Sequence, residues 1–430
     1  MEHSSARLNL NPFDPDFWRD PYRFYPELLS KPPQTLASPY PAVVCARYRD
    51  VIEVLTFHAR FSSRVPRIEL ISKLDPFVGA ATMLLSDPPE HTRLRKVMTR
   101  YLRSGRAEGL EIQIRATIDQ CLERIASLGT FDAVQDFARP ISTIANGELL
   151  GIPREDLTLL KEWYDKIFAS VRRCLMLAGQ SLTELKTLDA GSDRETERAA
   201  RLLREIGNST LGSDSFPILP LREYLLRLIE RRRKQASNDL ISSAIPELDS
   251  GIISIDEFLA AIMLLLFAGN DTTTGLIANS LVALCQRPDE IKRLRAKPEL
   301  IDGAIEEVLR FDSPVQMVLR FATSETRLSG TSISEGTLIF VMLGAANRDP
   351  AKFNNADLFE LDRYPNEHLA FGYGVHSCFG SHLARLQGRL SVAAILDRFP
   401  ALKFGDAAAP LAYSGSLLSR ELTCLQMRTG

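Results

Sequence analysis

From Ser254 to Ala283 the chain carries a stretch that is apolar on nearly every face of a helix, and such a helix has to run through the middle of the folded body. Ser254 and Glu257 stand three apart at its start, the spacing of a capping box, so its beginning is well defined. Apolar residues continue through Leu266, give way to Ala268-Gly269-Asn270-Asp271-Thr272-Thr273-Thr274-Gly275, and resume at Leu276. Glycine costs about 1 kcal/mol relative to alanine inside a helix, and a buried carboxylate is costly unless paired. The polar run therefore predicts a cavity beside the helix. Gly269 leaves room for a ligand against the backbone, Asp271 relays protons, and the Thr272 hydroxyl holds a water or a bound oxygen species. A kinked helix whose threonine hydroxyls bond back to carbonyls is the plainer alternative.

Helical periodicity also covers 112–128, 156–175, 195–206 and 221–233, whereas strand-like segments are confined to 42–45 and to 315–341, after a helix ending near Arg310. The fold class is therefore mainly α with a small β portion. The segments 190–220 and 237–251 are polar or rich in Gly and Ser and read as loops, neither of them a domain boundary, so residues 1–430 form one domain. A formal net charge of -2 with charges spread along the chain excludes the basic stripe of a nucleic-acid binder. The N-terminus has no apolar run, and the longest apolar stretch, 258–269, falls short of the roughly 20 residues that span a bilayer. A cytoplasmic protein without a membrane anchor is expected. Six cysteines lie far apart without a paired framework, which fits a reducing compartment.

One cysteine has unusual neighbours: Phe371-Gly372-Tyr373-Gly374-Val375-His376-Ser377-Cys378-Phe379-Gly380. Gly374 and Gly380 suit a tight loop pressed against a flat cofactor. Residues 383–390 are helix formers, so Cys378 lies just before a helix N-terminus that favours a thiolate. That marks a ligand or a nucleophile, and His376, two residues away, is a possible base for the latter. Zinc is less credible, since only His382 stands at short metal-binding spacing. Glu307 and Arg310, three apart on one helical face, read by themselves as a solvated ion pair of about 0.3 to 0.5 kcal/mol.

Together and in this order, the three runs resemble the cytochrome P450 family, specifically its soluble bacterial branch. Phe371-x-x-Gly374-x-His376-x-Cys378-x-Gly380 is similar to the cysteine-ligand loop, Glu307-x-x-Arg310 to the ExxR helix, and Ala268-Gly269-x-Asp271-Thr272 to the oxygen-activation motif. The resemblance implies a cytochrome P450-like fold holding haem b, with Cys378 ligating the metal and Ala268, Gly269, Phe371, Gly372 and Gly380 beside the cofactor. It implies that His91 and Arg95, in His91-Thr92-Arg93-Leu94-Arg95, bind one propionate, and Arg320 and His376 the other. Arg363 becomes the third member of a buried network with Glu307 and Arg310, in which losing one partner costs about 3 to 5 kcal/mol. Phe379 stands where the family usually has Leu, a change that tunes packing and potential without removing a ligand.

The implied activity is a monooxygenase that uses O2, with Asp271 and Thr272 as the catalytic pair. The chain has no iron-sulfur cysteine cluster and no dinucleotide-binding fingerprint, so electrons come from a ferredoxin or flavodoxin served by its own reductase. Arg385, Arg389, Arg100 and Arg103 are the expected docking residues. By the same resemblance Ile68, Leu70, Phe77, Val78, Leu264, Val315 and Val318 line the pocket, together with the region of Leu417, which suits a mid-sized apolar substrate of terpenoid or steroid type. Arg64, Arg67 and Lys73 leave room for a carboxylated substrate such as a fatty acid, and a secondary metabolite is a further option. A monomer is expected. The rival functions are a non-catalytic haem-thiolate sensor, which has no need of Asp271 and Thr272, and a haem-free cysteine hydrolase using Cys378 and His376.

Overall fold

The computed structural model describes residues 17, 19–36, 42–64, 80–103, 107–163, 166–167, 218–405, 411–415 and 418–430. Helices dominate them: α1 (Tyr25–Ser30), α2 (Tyr48–Thr56), α3 (Glu90–Arg103), α4 (Ala107–Leu128), α5 (Arg139–Leu150), α6 (Ile218–Lys234), α7 (Leu240–Asp249), α8 (Ile255–Cys285), α9 (Pro288–Ala296), α10 (Ile301–Phe311), α11 (Leu343–Ala346) and α12 (Ser381–Arg398). Helix α8 is the axis of the body and packs against α5, α12 and α10, while α4 fills the space between α5 and α12. It is buried continuously over Phe258–Phe267 and again over Thr273–Leu284. By length and composition α8 could cross a membrane, yet most of it is buried inside the protein.

The capping box forms as the sequence requires: Glu257 N–H donates to Ser254 Oγ at 3.2 Å and Ser254 N–H to Glu257 Oε2 at 2.9 Å. Helix α8 is continuous for 31 residues because its polar run finds partners on α5. Asn146 Nδ2 donates to the carbonyls of Leu265 and Leu266, both at 3.1 Å, and Ser142 and Thr274 share a hydroxyl hydrogen bond of 2.7 Å. Satisfied polar groups can stay in a helix interior.

Residues 240–249, expected as part of a loop, form helix α7. Asp239 caps it by accepting from Ser242 N–H at 2.6 Å, and Leu240, Ile241 and Ala244 are buried, which outweighs the interior Pro246. Helical residues continue past Asp156 to 163, while 195–206 and most of 164–175 lie outside the described residues.

The β portion is small. Strands β1 (Gln34–Thr35), β2 (Ala42–Cys45), β3 (Phe61–Ser62), β5 (Val318–Ala322) and β8 (Leu338–Val341) make one sheet in the order β1-β2-β8-β5-β3. Only β2 and β8 run parallel, Ala42 opposite Leu338 and Cys45 opposite Val341. Every residue of β2 is buried, as expected of an apolar strand covered on both faces. Thr326–Leu328 and Thr331–Ile333 pair as the hairpin β6-β7. Strands β4 (Thr130–Asp132), β9 (Lys403–Phe404) and β12 (Gln426–Arg428) form a second sheet, and the hairpin of β10 (Tyr413–Gly415) with β11 (Arg420–Leu422) stands apart. The Val315↔Ser419 bridge ties that hairpin to the segment leading into β5.

Candidate active site

The loop before α12 turns on two glycines with left-handed backbone, Gly372 at φ 68° and Gly374 at φ 70°. A Cβ on Gly374 would also lie 3.1 Å from the Leu55 carbonyl oxygen. The folded-back chain is closed by Cys378 N–H to Phe371 O at 2.7 Å and Gly372 N–H to Leu369 O at 2.8 Å. Gly380 has an ordinary φ of -88° and open space where its Cβ would be, so backbone conformation is not what requires glycine there. Cys378 is exposed, yet burial by the surrounding protein pushes its thiol up, against the opposite pull of the Gly380 N–H, Arg95 and Arg385. Accessibility and desolvation agree if the sulfur opens onto a recess. Phe379 packs against the main core.

Beside this loop the structure gathers donors from four places in the chain. The ring centroids of His91 and His376 are 4.3 Å apart, and His376 Nε2 lies 3.0 Å from Ser63 Oγ. His91 is 2% exposed, and neither ring nitrogen has a hydrogen-bond partner among the described residues. Arg320 is buried and donates to the Leu319 carbonyl at 2.7 Å; among the described residues neither it nor Arg95 has an ion-pair partner. Asp87, the carboxylate nearest the cluster, accepts from Ser63 N–H at 2.9 Å and from Ser62 Oγ.

Electrostatics record the imbalance. Burial, then the charges of Arg320 and His91, push His376 down to about 3, and burial brings Arg320 down to about 10 despite Asp87. Burial and then Arg95 lower His91, and burial lowers Arg95. Desolvated cations and orphaned donors around an open thiol form a cradle lacking its anion, and the donor set fits a flat cofactor carrying two carboxylates.

On α8, Ala268 is exposed in the middle of an otherwise buried helix, with Asp271 and Thr272 half-buried one turn on. Leu264, expected to line the pocket, is instead only 8% exposed and belongs to the main core. Gly269 serves a different purpose from the expected one: a Cβ there would meet the Asn146 side chain at 2.8 Å, so glycine admits α5, not a ligand. Thr272 Oγ1 donates to the Ala268 carbonyl at 2.7 Å, the back-bonding arrangement, which leaves its oxygen lone pairs as acceptors. Asp271 Oδ1 accepts from Arg139 at 3.3 Å. Burial above all, and then the charge of Glu421, pushes Asp271 up to about 7, against Arg139 and Lys161.

Below the loop, Glu307 and Arg310 are both fully buried, so they are not a solvated pair. Arg310 forks onto Glu307 with two bonds of 2.8 Å and also donates to the carbonyls of Asn347, Ala356 and Leu358. Arg363 Nε lies 3.1 Å and 3.2 Å from the two Glu307 oxygens. Glu306, the neighbouring residue, takes a separate set of partners: Arg385 at 2.7 Å and 2.8 Å, and His368 at 3.1 Å. Arg385, one of the expected docking residues, has its fork on Glu306 and keeps 37% of its side chain exposed. Arg389 reaches Asp302 at 3.5 Å, both well exposed. The side chains of Arg100 and Arg103 lie outside the described residues.

Val315 and Val318 are half-buried. Ile68, Leu70, Phe77, Val78, Arg67, Lys73 and Leu417 lie outside the described residues. Arg64 pairs with Glu90 at 3.0 Å, both side chains exposed, as a solvated face would have it. Sequence inspection overlooked Ser63, Arg139, Asn146, Glu306 and His368. Of these only Glu306, beside Glu307, and His368, three before Phe371, left a local signal.

The cytochrome P450 family model matches residues 220–418. The biotin biosynthesis cytochrome P450 of Bacillus subtilis (strain 168) is 30% identical over 91% of this chain and 92% of its own length. The vitamin D(3) 25-hydroxylase of Pseudonocardia autotrophica is 31% identical over 97% of this chain and 96% of its own length. Among solved structures, P450BioI in complex with hexadec-9Z-enoic acid ligated acyl carrier protein superposes with a TM-score of 0.79 at 29% identity, covering 96% of this chain and 99% of that one. The hydrolase alternative falls with these matches, and His376 bonds to Ser63 rather than to Cys378. Loop, cradle, buried glutamate-arginine network and whole-chain similarity lead to one conclusion: the chain belongs to the cytochrome P450 family, whose members are haem b monooxygenases.

Proposed function

We propose that this monooxygenase oxidises a mid-sized apolar substrate, with Cys378 as the iron ligand and with His91, Arg95, Arg320 and His376 holding the haem carboxylates. The observation that carries the reading is the cradle itself, four buried or desolvated donors beside an open thiol with too few anions among them. Haem b, when bound, supplies the reduction of dioxygen and the transfer of one oxygen atom to substrate.

The chain's own residues orient the cofactor and manage protons. Phe371 O holds the Cys378 amide, and the Gly380 N–H favours the thiolate. Asp271, with a pKa near 7, can take up and release a proton at neutral pH, and Arg139 holds it at the edge of α8. Thr272, its proton committed to the Ala268 carbonyl, offers lone pairs to a proton-bearing partner such as water. A sensor would have no use for this pair, which favours catalysis. The roles of Ala268, Phe371, Gly372 and Gly380 beside the cofactor, and of Glu307, Arg310 and Arg363 beneath it, belong to the same reading.

The substrate class rests on the half-buried Val315 and Val318 and on the exposed Ala268. It rests also on two relatives whose names or titles specify apolar molecules, vitamin D(3) and an acyl chain on a carrier protein. A terpenoid or steroid fits first and a fatty acyl chain second. A ferredoxin or flavodoxin with its reductase would deliver electrons to one soluble, cytoplasmic, monomeric haem domain. Titration with a panel of steroids, terpenoids and fatty acids tests the substrate class. An apolar ligand of this size should shift the haem spin state at micromolar concentration, and a response only to small polar compounds would overturn it.

A further inference from the structure

We propose that Glu306 is a positioning residue for the cysteine loop: by clamping Arg385 and His368 it fixes the ring of Phe371 and through it the surroundings of Cys378. This rests on Cys378 being the haem ligand. Glu306 Oε1 and Oε2 accept from Arg385 Nε and Nη2 at 2.7 Å and 2.8 Å, a fork that sets the plane of the guanidinium. That guanidinium lies 4.5 Å from the centroid of Phe371. His368 is the second partner of the same carboxylate. Its Nδ1 accepts from Ala370 N–H at 3.2 Å, so its proton is on Nε2 and points at Glu306 Oε2, 3.1 Å away. The His368 ring stands 6.0 Å from Phe371, centroid to centroid, and its side chain is 3% exposed.

Phe371 thus has as ring neighbours a cation and an imidazole that share one carboxylate, and its carbonyl takes the Cys378 amide at 2.7 Å. The electron density of a thiolate ligand depends on the hydrogen bonds and charges around the sulfur. With the Glu306 carboxylate gone, Arg385 is an uncompensated cation near the sulfur and Phe371 loses its orientation. The unbalanced positive charge favours the more negative, ferrous state, and the freed ring alters the packing around the sulfur.

The test uses the holoprotein. Glu306→Gln keeps the shape of the side chain and removes its charge. Arg385→Lys keeps the cation and removes the fork. Haem content, the absorption of the reduced carbon monoxide complex and the reduction potential are measured for each, with thermal unfolding alongside. Glu306→Gln should retain haem and the thiolate band while its reduction equilibrium moves toward ferrous by about tenfold, which is 59 mV for one electron. In a Phe371→Leu background the same substitution should move the equilibrium much less, because the ring that transmits part of the effect is gone. An unchanged potential in both Glu306→Gln and Arg385→Lys would overturn the proposal. So would an equal shift with and without Phe371. A wild type lacking the thiolate band would instead sink the assignment of Cys378, so the two failures are distinguishable.

Discussion

Asp271 sits where burial and neighbouring charge oppose each other. Burial holds its carboxyl up at about 7, and the charge of Glu421 adds to this, while Arg139 and Lys161 pull it down. Because the folded state holds the proton more tightly than the unfolded chain, ionising Asp271 costs stability as pH rises from about 4 through 7. Asp271→Asn, which cannot ionise, should match wild type in thermal unfolding near pH 4 and exceed it near pH 8. The same variant should keep its haem and lose product formation by roughly 10²-fold, the range of a lost proton donor. Equal turnover in the two proteins would remove Asp271 from the relay. Thr272 differs in kind: its back-bond to Ala268 is the arrangement a purely structural threonine would adopt, and its place beside Asp271 is what gives it a chemical use.

Helix α8 shows how an element absorbs residues that look disruptive. Its polar run would suit a kink, but the helix is continuous, and the partners it finds, Asn146 and Ser142, come from α5 more than a hundred residues earlier. Gly269→Ala should therefore act on packing: its methyl would meet Asn146 at 2.8 Å, and thermal unfolding should show a loss of about 1 to 3 kcal/mol. No loss would mean that Asn146 moves aside freely. The capping box of α8 and strand β2 were legible from sequence because each depends on residues within a few positions. Helix α7 was not, since polar composition and Pro246 spoke for a loop, while the Asp239 cap and the burial of Leu240 and Ile241 decided for a helix.

At the scale of the whole molecule, what the sequence could not carry is the set of contacts made across long separations. Arg139 and Asp271 are 132 residues apart, Glu306 and Arg385 79, and no spacing rule reaches that far. Family resemblance supplied the partnership of Glu307, Arg310 and Arg363, where local reasoning alone gave a surface pair. The Glu306 network borders the loop that carries Cys378. The most direct measurement is the absorption spectrum of the purified, reduced protein under carbon monoxide. Wild type should show the strongly red-shifted Soret band of a thiolate-ligated haem, and Cys378→Ala should lose it while the protein remains folded. Absence of the band in wild type, or its persistence in Cys378→Ala, would contradict the assignment.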